Sequence, residues 1–284
     1  QQWAKAKGIK FDDRMADEVK KLLEARGASK VAIEKALAKE IVQKEAKETV
    51  IESGKGINED FLKKASEDID NKKYFTLTKS AFKDVDGDYK LIADKALSKT
   101  KIVDYADSGV GFNPRSGKIE MGVKIIKDPA WYKATIRHET FHAFDFSEKL
   151  LGEGSFKFNF KSYDKKYPFR AAKINAMNTL KHDATLLKEI AKDINKLHID
   201  DKTIVRDLFD NIFLGEVNSF AGHGAEYYLK SPYRGTDTSE AMANLYTLTV
   251  GDRKKALAIV NKYVPEVYAS FEKTIEMMAK EAMK

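Results

Sequence analysis

The chain has 284 residues, of which 43% are hydrophobic and 33% charged, a balance that predicts a folded protein and excludes the disordered classes. It contains no Cys, which excludes disulfides and thiolate metal sites, so a transition-metal site must use His and carboxylate ligands. The net charge of +7 permits contact with nucleic acid, but the Lys residues are interleaved with Glu and Asp. We therefore expect a solvated basic surface and do not favour nucleic acid as a partner.

The apolar runs are too short to form a membrane anchor. None approaches the ~18 residues that span a bilayer, so we expect a soluble protein without a membrane partner. The N-terminal stretch lacks the apolar core of a signal peptide. Because the chain begins with Gln1, we expect a processed or truncated product from which a leader has been removed if one was present.

A helical arm is predicted over residues 1–70, which are rich in Lys, Glu and Ala. Its apolar residues form a narrow stripe, which suits packing against a partner better than an independent core. The last helix of the arm is predicted from Asn58 to about Asp68. We place a boundary near Asn71, followed by a second domain over residues 71–284.

Short β-prone runs follow the arm. The predicted elements are a strand at Tyr74–Thr78, a turn at Asp84–Asp88, a helix at Tyr89–Leu97, a strand at Lys101–Tyr105, a loop at Gly111–Gly117 and a half-buried strand at Lys118–Lys124. The residues that follow this strand include His138-Glu139-x-x-His142, a pattern typical of the metal-binding helix of zinc peptidases. In zinc peptidases, a strand just before that helix commonly lies along the cleft and pairs with the substrate backbone. The strand at 118–124 is expected to do the same, with an ordinary internal strand as the alternative.

The next predicted element is a long helix. Asp128 is a good N-cap and Pro129 a good first helical residue. No Pro or Gly interrupts the stretch from Ala130 to Leu151, and Gly152 supplies the first stop signal. The helix is therefore expected to continue to about Leu151.

This helix carries the pattern His-Glu-x-x-His. Residues four apart share one helix face, so His138 and His142 can present two imidazoles to one zinc ion. Glu139 would then reach a water bound to that metal and act as general base. Asp145 is placed to orient one of the histidines. The alternative is an amphipathic helix whose histidines and carboxylates are merely solvated.

A helical insertion is predicted at about 154–213. Its helices are expected at Phe169–Lys181, Asp183–Lys196 and Asp200–Phe209. His182 and His198 lie near the ends of these helices, where a solvated histidine is ordinary, and they receive no role.

Glu240 is the predicted third metal ligand, because catalytic zinc usually has three protein ligands. It lies near the start of a predicted helix, in which the small Ala241 and Ala243 would allow close approach to the metal helix. Asp237 and Glu240 have capping-box spacing, so Glu240 could instead satisfy backbone amides. Asp237 is the rival ligand, although Gly-Thr-Asp lacks one residue of the Gly-Thr-x-Asp pattern found in one class of zinc peptidases.

A glycine-flanked histidine precedes this helix. The stretch Gly222-His223-Gly224 has a freely adaptable backbone, as expected for a loop over a cleft. His223 or Tyr227 could donate a hydrogen bond to the oxyanion of a hydrolytic reaction. A plain surface turn is the alternative.

The order of these motifs resembles the C-terminal zincin-like domain of the minor head (minor capsid) proteins of tailed phages. The resemblance covers about Ile102 to Met278. It rests on four motifs: His138-Glu139-x-x-His142-x-x-Asp145, Gly222-His223-Gly224 followed by Tyr227-Tyr228, Glu240-Ala-Met-Ala-Asn244, and Lys262-Tyr263-Val264-Pro265 followed by Tyr268 and Phe271.

The resemblance implies a virion location near the portal vertex, with other head or portal proteins as partners. We expect an α+β, zincin-like metallopeptidase domain with a small mixed sheet, preceded by the helical arm. The expected activity is zinc-dependent hydrolysis of a peptide or protein, with a glutamate as third ligand. Two alternatives stay open: a structural minor capsid protein with a non-catalytic metal site, and a delivered toxin protease.

Overall fold

A computed structural model describes residues 55–67, 72–105, 110–122, 127–150, 156–213 and 235–283. This part of the chain is mixed α+β, mostly helical, with a small three-stranded mixed sheet. The helices are α1 (Glu59–Ala65), α2 (Lys72–Ala81), α3 (Gly87–Leu97), α4 (Pro129–Asp145), α5 (Pro168–Leu180), α6 (Ala184–Ile194), α7 (Ile199–Ile212), α8 (Thr236–Val250), α9 (Lys254–Tyr263) and α10 (Pro265–Ala282). The strands are β1 (Lys101–Tyr105), β2 (Val110–Asn113), β3 (Lys118–Gly122), β4 (Phe146–Leu150) and β5 (Phe156–Phe160). Among the helices described, none is long and apolar enough to cross a membrane.

The predicted arm lies mainly outside the described residues, and its boundary near Asn71 stays a prediction. Its last helix is described as α1. The side chain of Asn58 accepts hydrogen bonds from the backbone N–H groups of Asp60 and Phe61, which confirms the predicted start. Leu62 and Ala65 are buried in the core.

The predicted strand at 74–78 is wrong, because these residues lie in helix α2. Tyr74, Thr78 and Ala81 are buried and share one helix face. The hydroxyls of Thr78 and Tyr132 are 2.8 Å apart, and the Tyr74 and Tyr132 rings pack at 5.7 Å. Packing on α4 thus outweighs the strand preference of the local sequence.

Strand β3 is the centre of the three-stranded sheet. It pairs in parallel with β1 and antiparallel with β2, with Ile119 opposite both Ile102 and Phe112. Ile119 and Met121 are fully buried while Lys118 is exposed, so the predicted alternation is confirmed. Since both edges of β3 are paired within the sheet, the expectation that it pairs with a substrate backbone is wrong, and the alternative of an ordinary internal strand is confirmed. The outer strands are β1 and β2, and β2 was predicted to be part of a loop.

Helix α4 begins as predicted but ends earlier. The Asp128 carboxylate accepts hydrogen bonds from two backbone amides of the first turn, and Pro129 is the first helical residue. The helix ends at Asp145 and not near Leu151. Phe146 adopts extended backbone and opens β4, which pairs antiparallel with β5. The Phe146 ring packs against Phe112 at 5.6 Å, and this contact favours the strand.

Helix α8 lies at the centre of the packed helices. Every residue from Thr238 to Leu248 is buried, and α8 packs against both α4 and α7. Ala241 and Ala243 are fully buried, in line with the predicted close approach to α4. The predicted helices of the segment after residue 154 are confirmed as α5, α6 and α7. This arrangement places Glu240 opposite the motif of α4.

Candidate metal centre

Ligand atoms from three residues meet between α4 and α8. Nε2 of His138 lies 3.0 Å from Nε2 of His142 and 3.1 Å from Oε2 of Glu240. Oε1 of Glu240 lies 3.5 Å from Nε2 of His142. The ligand atoms of the three residues all lie within 4.8 Å of one another, so the group could hold a metal ion. The structure thus brings together the three residues that the sequence predicted as ligands.

The spacing of these atoms suits a small cation. Zinc binds imidazole nitrogen and carboxylate oxygen at about 2.0–2.2 Å, so two ligands of a tetrahedral ion lie roughly 3.4 Å apart. The observed separations of 3.0, 3.1 and 3.5 Å bracket this value. The side chains of His138, His142 and Glu240 are 18%, 9% and 10% exposed. The group is therefore largely shielded from water, and His138 is its most open member.

The charges of the group favour a cation. Burial alone lowers the pKa of His138, but the hydrogen bond to Glu240 and the charges of Glu240, Glu139 and Asp207 raise it to about 9. Burial raises the pKa of Glu240, but His142 and His138 outweigh it and hold that pKa well below its usual range. Without a metal, His138 and Glu240 form an imidazolium–carboxylate pair. A bound cation would replace the proton of His138.

A buried hydrogen-bonded chain orients His142. Its Nδ1 lies 3.0 Å from the hydroxyl of Ser239. Asp145, which is fully buried, accepts hydrogen bonds from the backbone N–H and hydroxyl of Ser162 and also interacts with the Ser239 hydroxyl. When Ser239 donates its proton to Asp145, its oxygen accepts the Nδ1–H of His142. The Nε2 lone pair then faces Glu240 and His138, as metal binding requires.

The Glu139 carboxylate is hydrogen-bonded to β2, one of the two outer strands of the sheet. Its Oε2 accepts a hydrogen bond of 2.6 Å from the backbone N–H of Phe112 in β2. The residue is buried at 8% exposure, and its charge contributes to the raised pKa of His138. Glu139 therefore lies beside the ligand group with one carboxylate oxygen held by the sheet.

Two alternatives were left open by the sequence: Asp237 as the third ligand, and Glu240 as a helix cap. The structure supports neither. Asp237 forms an ion pair with the buried Lys173, whose ammonium also donates to the carbonyl of Asn211 at 3.4 Å. Asp237 is absent from the ligand group. The carboxylate of Glu240 meets the two histidines, so we assign it no role as a helix cap. Helix α8 is instead preceded by Gly235 at a φ of 87°.

A further carboxylate near His138 was not predicted. Asp207 of α7 accepts a hydrogen bond of 2.7 Å from the side-chain amide of Asn244, one turn beyond Glu240 in α8. Its charge contributes to the raised pKa of His138. Asp207 lies in a segment whose sequence indicated only an amphipathic helix. The role of Ser239 was not predicted either, and the one indication of it in the sequence is that Ser239 directly precedes the predicted ligand Glu240.

The predicted oxyanion donors lie outside the described residues. His223 and Tyr227 both belong to the stretch between 214 and 234, so their roles stay predictions. The same holds for the loop Gly222-His223-Gly224 that the sequence predicts to cover a cleft.

Comparisons with protein-family models, with curated proteins and with solved structures give no match to this chain. The functional assignment consequently depends on the geometry of the His138, His142 and Glu240 group and on the carboxylate beside it.

Proposed function

We propose that the chain is a zinc-dependent peptidase with a zincin-like domain. The observation that carries the proposal is the convergence of His138, His142 and Glu240 with Glu139 adjacent on the same helix. Two imidazoles and one carboxylate form a ligand set typical of catalytic zinc, which keeps a coordination position open for chemistry. A purely structural zinc site is more often closed by four protein ligands.

In this proposal each side chain has a separate task. When bound, zinc supplies Lewis acidity toward water and a substrate carbonyl. Glu139 takes a proton from the attacking water and delivers it to the leaving amine. The N–H of Phe112 holds Oε2 of Glu139, which leaves Oε1 to receive that proton. Ser239 keeps the His142 ring oriented, and the predicted oxyanion donor is His223 or Tyr227.

The position of strand β2 favours a peptide as substrate. The N–H of Phe112 points away from β3, because it donates to Glu139. By the alternation of an extended strand, the backbone groups of Val110 point toward that same outer edge. An extended peptide can add to such an edge through main-chain hydrogen bonds, and this would place it beside Glu139.

The proposal is tested by separating metal binding from hydrolysis. The full chain, Glu139→Gln and His142→Ala are each assayed for zinc by elemental analysis and for cleavage of a quenched-fluorescent peptide library. We expect Glu139→Gln to retain zinc and lose cleavage, because the amide cannot accept the proton. His142→Ala should lose both. Equal zinc in the wild type and His142→Ala, or cleavage that survives in Glu139→Gln, would contradict the proposal.

A metal site with a structural role is the second candidate. It is favoured by the low exposure of the ligands and by the hydrogen bond that already holds Glu139 to Phe112. Under this alternative, zinc raises the unfolding temperature of the wild type and of Glu139→Gln equally, and neither protein cleaves any peptide of the library.

The biological setting is proposed from the resemblance of the motifs alone. A minor head protein would be present in purified phage particles together with portal proteins, and mass spectrometry of virions tests this directly. Cleavage of a host protein in cells that express the chain, without any virion association, would instead favour a delivered toxin protease.

A further inference from the structure

A cavity of about 300 Å³ lies where helices α3, α4 and α10 end. Three lysines line it, Lys95 near the end of α3, Lys99 just beyond it, and Lys161 after β5. None of the metal ligands lines this cavity, so it is separate from the candidate metal centre. Its volume far exceeds the roughly 30 Å³ of one water and matches the lower end of small-molecule pockets, which is about 300 Å³.

Two of the lysines are held by helix ends. The Lys161 ammonium donates to the carbonyl of Phe144 at 2.6 Å, and that of Lys95 donates to the carbonyl of Ala282 at 3.1 Å. Lysines commonly bind the last carbonyls of helices, which explains their presence at this place. Each of these bonds uses one of three ammonium protons, so both groups retain donors for a ligand.

The positive charge of the cavity exceeds the negative charge. Glu281 is the single carboxylate among the lining residues, and it is shared with Lys166 at 2.9 Å and the Tyr167 hydroxyl at 2.8 Å. Burial lowers the pKa of Lys161, and the charges of Lys99 and Lys95 lower it further, against opposing effects of Asp145 and Glu281. The ammonium groups therefore repel one another, and a bound anion would relieve that repulsion.

The remaining wall is apolar. Phe144, Phe146 and Met278 line the cavity together with the ring of Tyr167. The Lys161 ammonium lies 4.3 Å from the centre of the Phe144 ring, so the charged and apolar parts of the wall are adjacent. Phe144, Met278 and Tyr167 are at most 4% exposed, so the half-buried Phe146 offers most of the apolar surface that a ligand with a ring would cover and a bare inorganic anion would not.

We propose that this cavity binds a small organic anion, in which a carboxylate, sulfonate or phosphate group is attached to an apolar body of one or two rings. The ammonium groups of Lys95, Lys99 and Lys161 bind the anionic group. Phe144, Phe146 and Met278 contact the apolar body. The site does not depend on the proposed peptidase activity.

Binding of indole-3-acetate to the full chain, measured by ligand-observed NMR titration, tests the proposal. Its neutral amide, indole-3-acetamide, has the same apolar body, and inorganic phosphate has the charge without it. We expect indole-3-acetate to bind at least about tenfold more tightly than either, because charge-assisted hydrogen bonds and apolar contacts both contribute. Lys99→Gln, at an exposed position, should weaken binding about tenfold while the fold is unchanged.

Lys255→Gln is the matched control, because Lys255 is an exposed lysine of α9 that does not line the cavity. It should leave the affinity unchanged. Equal affinity for the acetate and the amide would exclude the lysines as the recognition element. Equal affinity for phosphate and indole-3-acetate would show that the apolar body of the ligand does not contribute to binding. Binding that is indifferent to Lys99→Gln would place the ligand elsewhere. Each of these results overturns the proposal.

Discussion

Replacement of Ser239 by Ala tests how His142 is oriented in the candidate metal centre. Ser239 is fully buried, and its hydroxyl lies 3.0 Å from Nδ1 of His142. Ala keeps nearly the same volume, so the fold of α8 should persist. The change removes the group that holds the Nδ1–H tautomer of His142. In the metal-free variant the proton then moves to Nε2, where Glu240 can accept it, and metal binding must displace it.

The expected size of the effect follows from this geometry. With its side chain 9% exposed, His142 cannot replace the lost partner with bulk water. Loss of a group that orients a metal ligand typically lowers metal affinity about 10- to 100-fold, equivalent to roughly 1.4–2.7 kcal/mol. Ser239→Thr keeps a hydroxyl and should recover part of the affinity if the larger side chain is accommodated.

Zinc affinity is measured by competition with a chromophoric chelator, and folding by circular dichroism. Ser162→Ala is the control, because the Ser162 hydroxyl also donates to Asp145, at 2.6 Å, but the residue is not a partner of His142. It should change zinc affinity by less than about threefold, since the backbone N–H of Ser162 still donates to Asp145. If Ser239→Ala folds normally and binds zinc as tightly as the wild type, the proposed orientation of His142 is wrong.

Three further predictions concern the ligands and the start of α8. Because the pKa of His138 is raised to about 9, this group is protonated at neutral pH and must lose its proton to bind metal. Zinc affinity should therefore rise about tenfold per pH unit up to pH 9. Calorimetry in two buffers with different ionisation enthalpies should detect about one proton released per zinc bound. A binding heat that is the same in both buffers would contradict this prediction. Asp237→Asn should leave zinc affinity intact, whereas Glu240→Gln should lower it more than about 100-fold. The reverse result would make Asp237 the third ligand in place of Glu240. Gly235→Ala places a Cβ 2.5 Å from Cβ of Tyr163 at a φ of 87° and should lower the free energy of unfolding by about 3 kcal/mol in urea titrations. Gly117→Ala, with a φ of 66° and nothing within 4 Å of the new atom, should lower it by only about 1 kcal/mol, and equal losses would exclude the steric contact.

Local patterns in the sequence were sufficient to predict where α4 begins and that its two histidines share one face. Asp128 and Pro129 act within one turn, and the i, i+4 relation of His138 and His142 holds in any helix. Glu240 lies 102 residues from His138, yet its place in a helix with small residues allowed it to be predicted as a partner. Both inferences depend on properties of one helix at a time.

Interactions between elements were harder to predict. Tyr74 and Thr78 have side chains that suit a strand, and only their contacts with Tyr132 show why a helix forms. The stretch after Asp145 contains no helix breaker before Gly152, so its sequence gives no reason for the helix to end there. The reason is that these residues pair with the following strand, in which Phe160 lies opposite Phe146 in the β4–β5 ladder.

Interactions between elements also explain why the roles of Phe112 and Asp207 in the candidate site were not predicted. The N–H of Phe112 belongs to the backbone, and any residue except proline could supply it. Asp207 comes near His138 only because α7 packs against α8. A single sequence shows neither relation, whereas the spacing of His138 and Glu139 is visible directly.

The interface between α4 and α8 has a composition that packing alone does not explain. Glu139, His142, Asp145 and Glu240 are all buried there, in a region where apolar side chains would stabilise the fold at least as well. Burial of several ionisable groups is unfavourable unless each has a partner. Glu139 accepts a hydrogen bond from the N–H of Phe112, Asp145 accepts from Ser162, and the carboxylate of Glu240 meets the two histidines. A bound cation would be a further partner for His142 and Glu240 and would join the two helices through them. The buried polar groups at this interface thus support metal binding in addition to the spacing of His138 and His142, and the loss of zinc in Glu240→Gln tests the role of the distant ligand directly.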